Sequence, residues 1–216
     1  WENNNLLKRD VDRIPPNVLR TMMNTKSRIM VAVAALMLIL TFFFPLWTID
    51  LNAPQYPEGL GIRIWLDQIS GMKPNDLQSI NGLNHYIGMK VIDPESIPEL
   101  KIMPFIIVFM IVFGLLNAYM KNRKLIYIWL ILFIILGVIG MYDFYMWEYD
   151  YGHQLNPDAP IKVPGMTYQP PLIGSKQLLN ISAVSLPSTA AIVIFISMFL
   201  NIAALYVDTK GKKHEN

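Results

Sequence analysis

Residues 102–147 read IMPFIIVFMIVFGLLNAYM, then KNRK, then LIYIWLILFIILGVIGMYDFYMW. Two long apolar runs flank four residues, three of which are basic. About 20 apolar residues span the hydrocarbon core of a bilayer. The first run, 102–120, carries no charge, and the second, 125–147, carries only Asp143. Four residues between two such helices force a tight antiparallel hairpin. This stretch predicts an α-helical membrane protein, and the basic turn predicts which side of the bilayer it faces.

Two more runs lie outward from it. Residues 29–47 (IMVAVAALMLILTFFFPLW) are uncharged. A secretory signal has a shorter core, about 7–15 residues, and a small-x-small cleavage site. This run is longer and ends in Phe-Phe-Phe-Pro-Leu-Trp, so it reads as a retained helix with Trp47 at the interface. Residues 183–207 (AVSLPSTAAIVIFISMFLNIAALYV) form the fourth run. Its Pro187-Ser188-Thr189 opening suits a helix start, because proline is tolerated in the first turn.

Composition agrees. The chain is 53% hydrophobic and 16% charged, against about 25% charged for an average soluble domain. A net charge of +2, with no basic helix interleaved with aromatics, argues against nucleic acid as a partner. Cysteine is absent. That excludes disulfides, thiol nucleophiles, iron–sulfur clusters and haem attached through Cys-x-x-Cys-His. No histidine lies within the four runs, so no haem ligand is expected there.

The expected plan follows in order. Residues 1–28 are a basic N-tail, 29–47 the first transmembrane helix, 48–101 a first outer loop and 102–120 the second helix. Residues 121–124 are the turn, 125–147 the third helix, 148–182 a second outer loop, 183–207 the fourth helix and 208–216 a tail. Tail, turn and tail hold 12 of the 18 Lys and Arg residues, whereas the two loops hold 10 of the 16 acidic ones. Basic residues favour the cytoplasmic side, so both termini are expected inside and both loops outside. The amphipathic pattern around Val18–Met23 fits either a surface helix or a solvated tail. The run 61–66 alternates as a strand does, and residues 74–80 suit a short helix. The fold class expected is therefore an all-α membrane protein of four transmembrane helices, with two extracytoplasmic loops forming a small mixed cap.

Candidate chemistry sits in those loops. The first holds Asn84-His85-Tyr86-Ile87-Gly88-Met89. The second holds Asp150-Tyr151-Gly152-His153 and Pro164-Gly165-Met166. His85 and Met89 share a face if that stretch is helical, although Gly88 argues against a good helix. Thioether and imidazole together favour copper, Cu(I) above all. Packing of the cap is the competing reading, since methionine also fills irregular gaps. Asp143 is an intramembrane carboxylate candidate, with Glu148 and Asp150 following it. It also lies only four residues before Trp147, within reach of the headgroups. Asn117 and Asn201 suit hydrogen bonding between helices. The aromatic run from Tyr142 to Tyr151 reads as an interfacial belt. No phosphate-cradling glycine loop, nucleophile elbow or His-Glu-x-x-His motif is present, so an enzyme is not expected.

Further residues carry a resemblance. Residues 150–157 (DYGHQLNP), 163–180 (VPGMTYQPPLIGSKQLLN), Tyr56-Pro57-Glu58-Gly59 and 84–89 (NHYIGM) resemble the NosB-type multi-helix membrane proteins of clade II (atypical) nitrous oxide reductase gene clusters. The resemblance covers both loops and the helix plan. It implies a protein of the bacterial inner membrane that serves a periplasmic copper enzyme, with nitrous oxide reductase or its maturation machinery as partner. Cu(I) is then the expected cargo of His85, Met89, His153 and Met166. The alternative is a metal-free structural or docking subunit of a membrane complex.

Overall fold

The computed structural model describes residues 23–213, with side chains described to residue 210. Residues 18–22 of the expected surface helix, and His214, lie outside the described residues.

The described residues form five α-helices: α1 (Thr25–Met37), α2 (Asp76–Ile87), α3 (Pro98–Met120), α4 (Arg123–His153) and α5 (Thr189–Lys213). All but α2, with the 3-10 turn Leu38–Phe42 prolonging α1, are long and apolar enough to cross a membrane. That is compatible with a multi-pass membrane protein. Large apolar side chains on these helices stay exposed, among them Phe105, Ile131, Val138 and Phe199.

The chain is not all-α. Five strands form one antiparallel sheet: β1 (Trp47–Ala53), β2 (Tyr56–Ile64), β3 (Ile69–Gly71), β4 (Gly174–Leu178) and β5 (Ile181–Pro187), in the order β3-β2-β1-β5-β4. Two apolar runs conceal it. The first contains Pro45, which disfavours the helical region for its neighbour Phe44. Trp47 therefore opens β1 instead of closing a helix. Its side chain is buried, and its indole Nε1 donates to Ser185 Oγ at 2.7 Å. The fourth run begins inside β5, and α5 starts only at Thr189.

The sheet is mounted on two helices. α1 leads directly into β1, and β5 leads directly into α5. The antiparallel pair β1–β5 thus continues downward as the antiparallel pair α1–α5. Ser188 N→Leu46 O (2.9 Å) and Ala190 N→Pro45 O (3.0 Å) close the junction. Without a hydrophobic drive between helices in lipid, small residues and interhelical hydrogen bonds hold them. Ser27, Ala34, Ala35, Ser197, Asn201 and Ala204 are all buried. Ser27 Oγ donates to Ala204 O, and Ser197 Oγ donates to Ala34 O, each at 2.8 Å. α3 packs closely on α1. A Cβ on Gly114 would lie 2.7 Å from Ala35 Cβ.

At the far end, Asp208 is fully buried. Its Oδ1 accepts from Asn24 N at 2.8 Å, and its Oδ2 pairs with the Arg123 guanidinium. Hydropathy alone puts Asp208 in a solvated tail. It instead ties α1, α4 and α5 together.

The cap has its own core of Trp47, Ile49, Leu60, Ile62, Ile69, Ile80, Ile92, Ile97 and Leu100. Phe144, Trp147 and Tyr151 of α4 pack onto it. The buried Asp76 carboxylate accepts from Gly61 N (3.0 Å) and Lys73 N (3.1 Å), so the start of α2 is pinned to β2.

Candidate ligand cavity in the cap

The two loop stretches meet. Asn156 N donates to Gly88 O at 2.7 Å and Ile161 N to Tyr86 O at 2.9 Å. Lys90 Nζ donates to Gln154 Oε1 at 2.8 Å and Tyr151 Oη to Val91 O at 3.1 Å. Asn81 adds a two-way clamp on Ile92, through Nδ2→Ile92 O (3.0 Å) and Ile92 N→Oδ1 (2.8 Å). Gly88 does not spoil α2. It ends it, in the left-handed conformation (φ 81°) that favours glycine at this position.

The four candidate copper ligands fall as follows. His85 is exposed on α2. Met89, half-buried, lines a cavity beneath the junction. His153 is the last residue of α4. Its ring stacks on Tyr149 at 3.9 Å, and Nδ1 lies 3.0 Å from Tyr149 O. Nδ1 donating to that carbonyl leaves Nε2 with a free lone pair. Met166 is half-buried in the turn closed by Met166 N→Val163 O. The junction sets residues 86–91 against residues 151–161; Met166 lies beyond them in its own turn. Among the described residues, no group of three or more His, Asp or Glu is placed to hold a metal.

The cavity has a volume of about 650 Å³. The sheet lines it with Ile49, Leu51 and Ile62, α2 with Ile80 and Leu83, and the second loop with Ile161 and Tyr168. One carboxyl interrupts this apolar surface. Glu148 is fully buried, and neither of its oxygens has a hydrogen-bond partner among the described residues. Trp147 Nε1 and Tyr168 Oη are buried and unpartnered in the same way.

Glu148 stands above the bilayer-crossing part of α4. That helix has 31 residues, and about 20 suffice to cross. Counted from Arg123, the crossing ends near residue 143. Glu148 is then about 7.5 Å further up, at 1.5 Å per residue, among cap side chains. Burial without a cation beside it pushes its carboxyl up from the ordinary value near 4.5 to about 8. Among the described residues, no Lys, Arg or His lines the cavity.

Asp143, the carboxylate that stands out in the sequence, is exposed, and Glu148, named there only as following it, is the buried one. A signal is nonetheless present. Phe144, Trp147, Glu148 and Tyr151 recur at helical spacing, so they share one face. That face meets the cap.

Comparison with protein-family models and with curated proteins gave no match.

Proposed function

We propose that this chain is an accessory protein of the bacterial inner membrane, with both termini cytoplasmic and the cap periplasmic. It serves the maturation or upkeep of nitrous oxide reductase by binding, and catalyses no reaction itself. Its cargo is Cu(I), taken by His85 and His153 with help from the thioethers of Met89 and Met166. The resemblance of the loop motifs supports the partner, and the distribution of basic residues supports the orientation. The observation that carries the reading is the seam Asn156 N→Gly88 O and Ile161 N→Tyr86 O. It sets the His85–Met89 stretch against the stretch that follows His153. Imidazole and thioether suit Cu(I) in an oxidising space, where thiolates would oxidise.

Titration of the purified full-length protein with Cu(I) tests this. The wild type is expected to bind, and His85→Ala with His153→Ala is expected to weaken binding at least tenfold. Equal binding by the double variant removes the site.

A metal-free docking role is favoured by a different observation. Tyr86, Val91 and Ile161, along the seam, are 56%, 57% and 48% exposed. Exposed apolar side chains grouped this way suit a protein partner. Capture of nitrous oxide reductase in the presence of a copper chelator favours docking. Capture only with copper favours cargo transfer.

A further inference from the structure

The cavity over Glu148 holds a second kind of chemistry, and it does not depend on the copper reading. Its size suits a small organic molecule, since ligand pockets commonly enclose about 300–1,000 Å³ with few polar groups. Gln55, Asn84 and Asn180 are among its lining residues, but the buried polar atoms without partners belong to three others. Trp147 precedes Glu148 on α4, and Tyr168 N donates to Gly152 O, one helical turn beyond Glu148. Trp147, Glu148 and Tyr168 all line this cavity, and the Trp147 Nε1, the Glu148 carboxyl and the Tyr168 hydroxyl have no partner among the described residues. Buried polar groups left without partners are costly.

We propose that this cavity binds an uncharged amphiphilic organic molecule, with its hydrocarbon part against Ile49, Ile62, Ile80 and Leu83 and a carbonyl oxygen at its polar end meeting Glu148 and Tyr168. The chemistry of the donors selects that class. An indole N–H only donates. A neutral carboxyl and a phenol each offer an O–H. Three groups able to donate, on side chains that line one largely apolar cavity, call for an acceptor oxygen on the occupant. A carboxylate alone among apolar walls is strongly disfavoured, and among the described residues no cation lines the cavity to offset it. The resting group is the neutral acid, which pairs with a neutral ligand without burying charge. The position of the cavity, just above the bilayer-crossing part of α4, suits a molecule that partitions from the membrane.

The test uses full-length protein in lipid nanodiscs, with empty nanodiscs as blank and two probes of equal chain length, 2-dodecanone and dodecylamine, followed by calorimetric titration. Saturable binding of 2-dodecanone is expected. Glu148→Gln keeps a donor and is expected to stay within about threefold of the wild type. Glu148→Leu and Tyr168→Phe are expected to weaken binding tenfold or more while melting no lower than the wild type. Three results overturn the proposal: no saturable binding of the ketone, binding unchanged in Glu148→Leu, or preference for the amine with loss in Glu148→Gln. The last would assign the cavity to a cation. A protein that binds Cu(I) but not the ketone would refute this site and leave the copper reading intact. The reverse result would do the opposite.

Discussion

The amide of Asn156 donates to the carbonyl of Gly88 at 2.7 Å, and the chain there is packed without slack. A Cβ on Gly88 would lie 2.9 Å from both Ala159 Cβ and Asn156 O, and Gly88 has φ 81°. Gly88→Val must therefore strain the backbone and push the second loop away. We expect it to lower stability by about 1–3 kcal/mol, read as a lower melting temperature in detergent and faster proteolysis within residues 154–170. Gly140→Ala is the control. Nothing lies within 4 Å of a Cβ there, so a change of no more than about 1 kcal/mol, in the stabilising direction, is expected.

The membrane helices are legible in the sequence because bilayer thickness leaves a simple signal of length and apolarity. Of the sheet, the alternation at 61–66 marks the end of β2, but β1 and β5 are not legible, for a physical reason particular to their position. β1 and β5 grow directly out of α1 and α5, so their apolar residues extend the helical runs without a polar break. Only Pro45 and Pro187 mark the changes, and Pro187 also reads as a helix start. The paired motifs hint that the two loops meet, but the meeting rests on backbone hydrogen bonds, which leave no compositional trace. Glu148 is hidden by its neighbours. In a run of Asp143, Glu148 and Asp150, the residue that matters is chosen by which face of α4 the cap covers.

Orientation is open to a direct chemical test because the chain has no cysteine. Asp158 in the second loop and Lys124 beside the basic turn are both exposed. With Asp158→Cys, a membrane-impermeant maleimide is expected to label intact spheroplasts. With Lys124→Cys, labelling is expected only after permeabilisation. The opposite pattern would place the cap in the cytoplasm and end the proposed periplasmic role.

Asp208 is expected to be a point of failure for the helix bundle. Asp208→Ala leaves the half-buried Arg123 without its carboxylate and Asn24 N without an acceptor. Breaking a buried pair from one side costs about 3–5 kcal/mol. The variant is expected to melt well below the wild type, and Arg123→Ala with Asp208→Ala should recover part of the loss. Equal melting of Asp208→Ala and the wild type would show that the pair contributes nothing.

Glu148 gives the protein a pH dependence whose sign can be worked out. Its carboxyl is raised from near 4.5 to about 8, so the folded protein holds this proton more tightly than the unfolded chain does. Between those values the unfolded chain binds fewer protons, and stability falls as pH rises. The contribution of the neutral acid is fully present below about pH 4.5 and lost once the pH passes about 8. Every tenfold difference in proton affinity between folded and unfolded chain is worth about 1.36 kcal/mol, so the whole contribution is on the order of a few kcal/mol. Tyr56, Tyr86, Tyr151 and Tyr168 also line the cavity, so the comparison must be with Glu148→Gln and not with pH alone. The variant keeps the shape and loses the titration. The difference in melting temperature between wild type and Glu148→Gln is expected to move steadily in favour of the variant from pH 5 to pH 9. A difference that stays constant over that range would mean that Glu148 is solvated in the folded protein, and the cavity would lose the desolvated acid on which its ligand chemistry rests.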